Sequence, residues 1–480
     1  MTDGGEQIIN RTKIVCTIGP ASSSMGVLKQ MLAAGMDVAR INFSHGDYDS
    51  NLVLIDRIRE VAESVDQPVA IMLDLQGPKI RVGQLPLEGL DLIEGQMATL
   101  LAGVMSAPEG MIPVPYERLA RDVSRGDRIL LDDGNLEVEV LDKRGSEIKA
   151  KVLLGGRLLS HKGINVPTVT LSVESLTAKD DQDLSFGLKQ NIDFVALSFV
   201  RSSEDVVKLR EKIKKYLPDG IEPPQIIAKI EKHEALDNFD GILTQADAIM
   251  IARGDLGLET PASKVPIRQK ELIAKCVVAG KPVIVATQLL HSMHESPRPT
   301  RAEVSDVANA VLDHADAVML SGETAMGQYP VESVRAMAQV IEATNERQLD
   351  NLMPQRDSVA GTVPQAVAAA AVELARQVVA KVILVTTHSG YSARSVVMYR
   401  PNTPVFAFSD SPRTRTTLML SWGVNPYVSD GLERPEEMVR LAMTELVKKK
   451  IVQTGDKIVV VSGLAREDHG YDSGVRVIKI

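Results

Sequence analysis

Cysteine, aromatic side chains and long apolar runs are all scarce in this chain of 480 residues. There are two cysteines, Cys16 and Cys276, and aromatic residues make up 3% of the whole. Two cysteines set in apolar runs offer no disulfide framework, which fits a reducing compartment. Nowhere does the sequence sustain the roughly 18 apolar residues that a bilayer-spanning helix needs. The opening MTDGGEQIINRTK likewise lacks the apolar segment of a secretion signal. A cytoplasmic protein that does not enter membranes is the expectation. An excess of positive charge is missing too: 54 basic residues against 63 acidic leave a net charge of -9. Such a balance disfavours non-specific binding of nucleic acid or anionic lipid, so any phosphate must be met by local groups. A chain this long is expected to divide into two or three domains.

What the sequence does have is alternation. Short β-branched runs begin at Thr12, Val38, Val69, Phe194, Gln225, Ala248, Pro282 and Ala317, and most are followed by an amphipathic stretch. Eight continuous apolar strands with crossover helices are the count for a closed (β/α)8 TIM barrel, with an open doubly wound sheet as the alternative. The third run is followed instead by Gly- and Pro-rich alternating segments with turn signals at Asp133-Gly134 and Arg144-Gly145. This reads as a small β-barrel domain, a lid, inserted at residues 83–167 into a barrel formed by 1–82 and 168–346. A polar stretch then leads to a separate C-terminal α/β domain of five strands, residues 347–480.

In a parallel barrel the functional side chains gather where the strands end. Here the polar residues do concentrate at those ends. The second run closes on Arg40, Asn42, Ser44 and His45, the third on Asp74, and the fifth on Lys229 and Glu231. The sixth closes on Gly254 and Asp255, the seventh on Thr287, and the eighth on Ser321 and Glu323. Lys229 and Glu231 are two apart on a strand, so both point to one side. With Asp255 from the next strand, two carboxylates could hold magnesium and leave the ammonium to face a phosphate. A structural Lys–Glu pair at the rim explains KIE alone equally well. GDLG alone is equally a tight turn. Arg40, Asn42 and Ser44 share a face, and Asp74 could complete a cation site with the last two. His45 alone reads more simply as a hydrogen-bonded rim residue.

Taken together, the strings TKIVCTIGPAS, VARINFSHG, LDLQGPKIRVG, HKGINVP, AKIEKHEAL, IMIARGDLGLE and RPTRAEVSDVANAVLDHADAVMLSGETAMGQYP resemble the pyruvate kinase family, in its order. The resemblance implies phosphoryl transfer from phosphoenolpyruvate to ADP, with Mg2+ on Glu231 and Asp255 and a second Mg2+ arriving on the nucleotide. It implies Lys229 and Arg40 on the transferring phosphate, and Gly254, Asp255 and Thr287 on the carboxylate. The enolate would be protonated near Thr287, Ser321 and Glu323. Asn42, His45, Arg81 and Lys162 would meet the nucleotide, with Arg81 and Lys162 carried on the hinges of the lid. A homotetramer is also implied. Where many members carry Glu and need potassium, this chain has Lys79, so its ammonium is expected to serve the site of Asn42, Ser44 and Asp74 without K+. Thr387, His388, Ser389, Gly390, Tyr391 and Ser392 resemble the family's effector loop. Glu467, Asp468 and Asp472 nearby would repel a bisphosphate, so AMP or a sugar monophosphate is the expected effector. The competing readings are another phosphoenolpyruvate or pyruvate barrel, such as a lyase or mutase, and an inactive metabolite-sensing barrel.

Overall fold

The computed structural model describes residues 11–43, 47–167, 169–345, 361–429, 435–465 and 471–480. Eight parallel strands close into a barrel: β1 (Lys13–Ile18), β2 (Val38–Asn42), β3 (Ala70–Asp74), β4 (Phe194–Leu197), β5 (Gln225–Ile230), β6 (Ala248–Ala252), β7 (Val283–Ala286) and β8 (Ala317–Leu320). Each pairs with its neighbours in sequence, and β1 closes on β8. The expected barrel is therefore present and the open sheet is not. Nearly every strand residue is buried, because one face meets the helices and the other fills the barrel. Val15, Met72, Phe194, Ile227, Met250, Ile284 and Met319 fill the interior beside small neighbours such as Ala70, Ala196 and Ala248. Met419 and Leu420, from far down the chain, pack into that same interior cluster and cork the end where the strands begin.

At that floor a fourfold device recurs. Asp37, Asp193, Asp247 and Asp316 each precede an even-numbered strand. Each carboxylate accepts a backbone N–H from the odd strand beside it: Ile14 at 2.8 Å, Ile71 at 2.8 Å, Ile226 at 2.8 Å and Val283 at 3.0 Å. The aspartate's own N–H returns the bond to the carbonyl of that same residue. A cation then neutralises each carboxylate. Lys13 and Arg210 come from the barrel, Arg413 and Arg400 from the C-terminal segment. The ring of the single tryptophan, Trp422, lies under the guanidinium groups of Arg400 and Arg11, and its backbone N–H donates to Asp316.

After β3 the chain leaves the barrel for a curled, mainly antiparallel six-stranded sheet with its own core around Leu100, Ile112, Val138 and Ile148. It returns to the helix Ala178–Lys189, whose start is secured by a reciprocal bond set between Thr177 and Asp180. The C-terminal segment forms a five-stranded sheet, with Val382–Thr386 at its centre and the antiparallel Tyr471–Lys479 at one edge. No described helix is long and apolar enough to cross a membrane.

Candidate active site

A cavity of about 1090 Å³ opens at the end of the barrel where the strands finish, and Arg40, Asn42, Lys229, Glu231, Asp255 and Thr287 all line it. β5 delivers Lys229, whose Nζ lies 3.0 Å from Glu231 Oε1, 3.2 Å from Asp74 Oδ1 and 2.7 Å from Ser198 Oγ. On the other side of Asp74, Arg40 Nε donates to Oδ2 at 2.6 Å while Arg40 Nη1 reaches Thr17 Oγ1 at 2.8 Å. Arg40, Asp74, Lys229 and Glu231 form one chain of alternating charge, and Asp255 lines the same cavity beyond it.

The electrostatics follow from that chain. Burial by itself would favour loss of the Lys229 proton, but Asp74 and Glu231 outweigh it and hold the ammonium above its ordinary pKa. Burial pushes the Asp74 carboxyl up; Lys229 and Arg40 pull it further the other way, and it stays ionised below its ordinary value. Glu231 behaves differently. Burial raises it, Lys229 opposes, and the facing charge of Asp255 adds to the rise, although Phe199 N–H donates to Oε2 at 2.7 Å. Two carboxylates on one cavity, with Lys229 beside the first, can offer oxygens to a hard cation.

Asp255 sits in the first turn of the helix Arg253–Glu259, which starts directly after β6. Gly254 N donates to Thr287 Oγ1 at 2.8 Å, and a Cβ on Gly254 would lie 3.3 Å from that oxygen. Thr287 and Gln288 are both left-handed, with φ of 69° and 56°, a costly state for a β-branched residue. Arg253 holds the pair in place. It donates to the carbonyls of Thr287 at 2.9 Å and Gln288 at 3.2 Å, while two 2.8 Å bonds anchor it to Asp306.

Several sequence expectations land elsewhere. Glu323 does not line the cavity: its carboxylate accepts Ser321 N at 2.8 Å and Leu290 N at 3.3 Å, tying the loops after β7 and β8 together. Ser321 does line it, and its buried Oγ has no partner among the described residues. Lys79 is not brought onto Asp74, whose cations are Arg40 and Lys229. It lies 3.8 Å from both Asp255 and Asp133. Lys162 pairs with Asp132 at 2.8 Å, whereas Arg81 donates to His161 O at 3.1 Å across a bridge to Gly163, so Arg81 ties one hinge to the other. Ser44, His45, Glu467 and Asp468 lie outside the described residues, as does the side chain of Asp472. Residues 387–392 form the turn from Val382–Thr386 into the helix Tyr391–Val397. Thr387 Oγ1 accepts from Gly390 N at 3.0 Å, and His388 Nδ1 is 2.7 Å from Asp410. Ser392 begins that helix beside the exposed Tyr391.

Ser198 and Thr17 are the contacts that sequence reasoning passed over. Both are polar residues closing apolar runs, FVALS and KIVCT, and the strand-end rule that found Asp74 applies equally to them.

A parallel barrel whose mouth joins two repelling carboxylates to a charged lysine and arginine belongs to the enzymes that handle anionic substrates with a divalent ion. Comparison with known proteins narrows this. Residues 9–334 match the model for the pyruvate kinase barrel domain and residues 365–478 that for the pyruvate kinase alpha/beta domain. The pyruvate kinase of Geobacillus stearothermophilus is 44% identical over 97% of this chain and 80% of its own length. Pyruvate kinase 2 of Synechocystis is 44% identical over 97% of this chain and 79% of its own. The crystal structure of a pyruvate kinase from Cryptosporidium parvum superposes with a TM-score of 0.90 at 36% identity, covering 99% of this chain and 97% of that one. The chain belongs to the pyruvate kinase family. It is accordingly a phosphotransferase acting between phosphoenolpyruvate and ADP, in a family that requires a divalent metal. The lyase or mutase reading and the inactive-sensor reading are set aside.

Proposed function

We propose that the mouth of the barrel catalyses phosphoryl transfer from phosphoenolpyruvate to ADP through the residues that converge there. Glu231 and Asp255 would hold Mg2+, and the presence of both carboxylates on one cavity is the observation that makes them fit it. When bound, the ion supplies fixed positive charge against the substrate's oxygens. Lys229, kept protonated by Asp74 and Glu231, faces the phosphoryl group in flight, where a loose transition state spreads charge over three oxygens. Arg40 binds the same phosphate and is aimed by Asp74 and Thr17. Thr287 Oγ1 accepts from Gly254, which leaves its O–H to donate to the substrate carboxylate. Ser321, whose hydroxyl lacks a partner among the described residues, is positioned to hand on a proton to the enolate through water. Glu323 contributes by holding Ser321 rather than by touching substrate.

On the nucleotide side, Asn42 and His45 would meet ADP with its own Mg2+. Residues 83–167 act as a lid whose hinge cations, Arg81 and Lys162, reach the phosphates and exclude water as it closes over the barrel of residues 1–82 and 168–346. Lys79 would stand in for the monovalent ion of the Asn42, Ser44 and Asp74 site by adding fixed charge to the mouth from beside Asp255, so that the reaction runs without K+. The turn at 387–392, in a C-terminal domain of residues 347–480, would take a monophosphate effector such as AMP or a sugar monophosphate, in a homotetramer.

The convergence of Lys229, Glu231 and Asp255 on one cavity carries this reading. Its test is a steady-state assay of pyruvate formation with phosphoenolpyruvate, ADP and Mg2+. Glu231→Gln and Asp255→Asn should each raise the Mg2+ needed for half-maximal rate well beyond tenfold, about the loss expected for a missing metal ligand. Unchanged metal demand in both variants would overturn it.

A further inference from the structure

The two carboxylates assigned to the divalent ion arrive on separate elements. Glu231 follows β5, whereas Asp255 rides on the helix that follows β6. The β5–β6 ladder ends at Ile230 and Ile251, so backbone pairing does not reach either ligand. Something else must set the distance between them.

Glu259 closes the helix that begins at Arg253, one turn beyond Asp255, and its side chain is 0% exposed. Lys232, the residue after Glu231, places Nζ 2.6 Å from Glu259 Oε1. His233 Nδ1 lies 3.2 Å from Glu259 Oε2 and 3.2 Å from Glu234 Oε2. Glu231 and Lys232 are neighbours in extended chain, so one faces the cavity while the other faces the helix. The ion pair therefore spans the gap one residue from one ligand and one helical turn from the other. A carboxylate with no exposure is stable only when paired, which makes this contact stiff. His233, Glu234 and Glu259 are close enough together to hold a metal ion themselves. The Lys232 ammonium already supplies the positive charge Glu259 needs, so the cluster reads as a strut.

We propose that Lys232 and Glu259 are positioning residues whose buried ion pair sets the separation of Glu231 and Asp255, and with it the affinity for the divalent ion. This rests on reading Glu231 and Asp255 as its ligands. The test measures Mn2+ binding to the full-length enzyme without substrates, by the electron paramagnetic resonance of free Mn2+, alongside thermal unfolding. Lys232→Met and Glu259→Gln should each weaken Mn2+ binding by about tenfold, the scale found when groups supporting a metal ligand are removed. The double variant should be no worse than either single, because the two act as one unit. Lys232→Arg, which keeps the charge, should stay within about threefold of the unaltered enzyme. Unchanged Mn2+ affinity in folded Lys232→Met, whatever happens to its melting temperature, would overturn the proposal. Glu231→Gln separates the two readings. If it binds Mn2+ normally, the ligand assignment itself fails; if it loses binding while Lys232→Met does not, only the strut fails.

Discussion

The two ends of the barrel use the same residue type for opposite ends. At the floor, Asp37, Asp193, Asp247 and Asp316 each accept a strand N–H and meet one cation, so every charge there is answered. At the mouth, Glu231 and Asp255 line an open cavity: Lys229 stands 3.0 Å from Glu231 and Lys79 3.8 Å from Asp255, yet the two carboxylates still repel beside space that a ligand can fill. Satisfied polar groups specify a single structure, while groups left short of a partner are poised for a ligand. The contrast shows how one scaffold keeps its stability and its chemistry at separate places.

Removing the Lys229 ammonium is the strongest way to break the contrast. Lys229→Met should lower kcat of the folded enzyme by about a thousandfold, the scale of a lost electrostatic stabiliser. Some stability should go with it, because the buried Asp74 and Glu231 lose a cation, but a kcat of the folded fraction near that of the unaltered enzyme would remove Lys229 from the chemistry. At the floor the outcome should invert. Arg413→Met leaves Asp193 buried without its guanidinium, and breaking such a pair costs about 3 kcal/mol or more. Chemical denaturation should show that loss, while kcat of the folded fraction stays within about twofold.

The potassium question sharpens the mouth further. The unaltered enzyme should keep its rate when a large organic cation replaces K+, whereas Lys79→Glu should make the rate depend on K+. A rate that collapses in the unaltered enzyme would remove the role given to Lys79.

Acid titration separates the two ends again. Asp74 has a lowered folded pKa, so its contribution is present above the ordinary carboxylate range and is lost as pH falls through the lowered value. Asp37 and Asp193 are raised, chiefly by burial, so their contribution is present at low pH and fades as pH rises through the folded value. Melts between about pH 3 and 6 should therefore show Asp74→Asn flattening the acid loss of stability and Asp193→Asn steepening it. The smallest effect is expected at the lid. Asp132→Asn frees Lys162 for the nucleotide and should lower KM for ADP by no more than about threefold, since exposed pairs are weak.

The barrel, the inserted sheet and the gathering of polar strand-end residues at one cavity were legible because they depend on local period and on which end of a strand a residue occupies. The floor was not legible, although GMDVAR, NIDFVAL, QADAIMIA and HADAVML each carry its aspartate at the same offset. Their partners sit at unrelated spacings, 37 positions for Arg210 and Asp247, 84 for Arg400 and Asp316 and 220 for Arg413 and Asp193, and composition does not say which cation answers which carboxylate. Glu323 misled for a related reason. It stands at a strand end, as a catalytic group would, but the helical turn at Gly322–Ala325 directs its carboxylate onto backbone amides. Lys79 depended on the path of a hinge, which strand periodicity does not determine.

Met419 and Leu420 bear on more than packing. A barrel severed from the chain after residue 345 would be uncorked, with water admitted to the column of side chains that keeps eight strands in register. The C-terminal segment is thus a stopper, and anything that shifts it tugs on the very staves that carry the residues of the mouth.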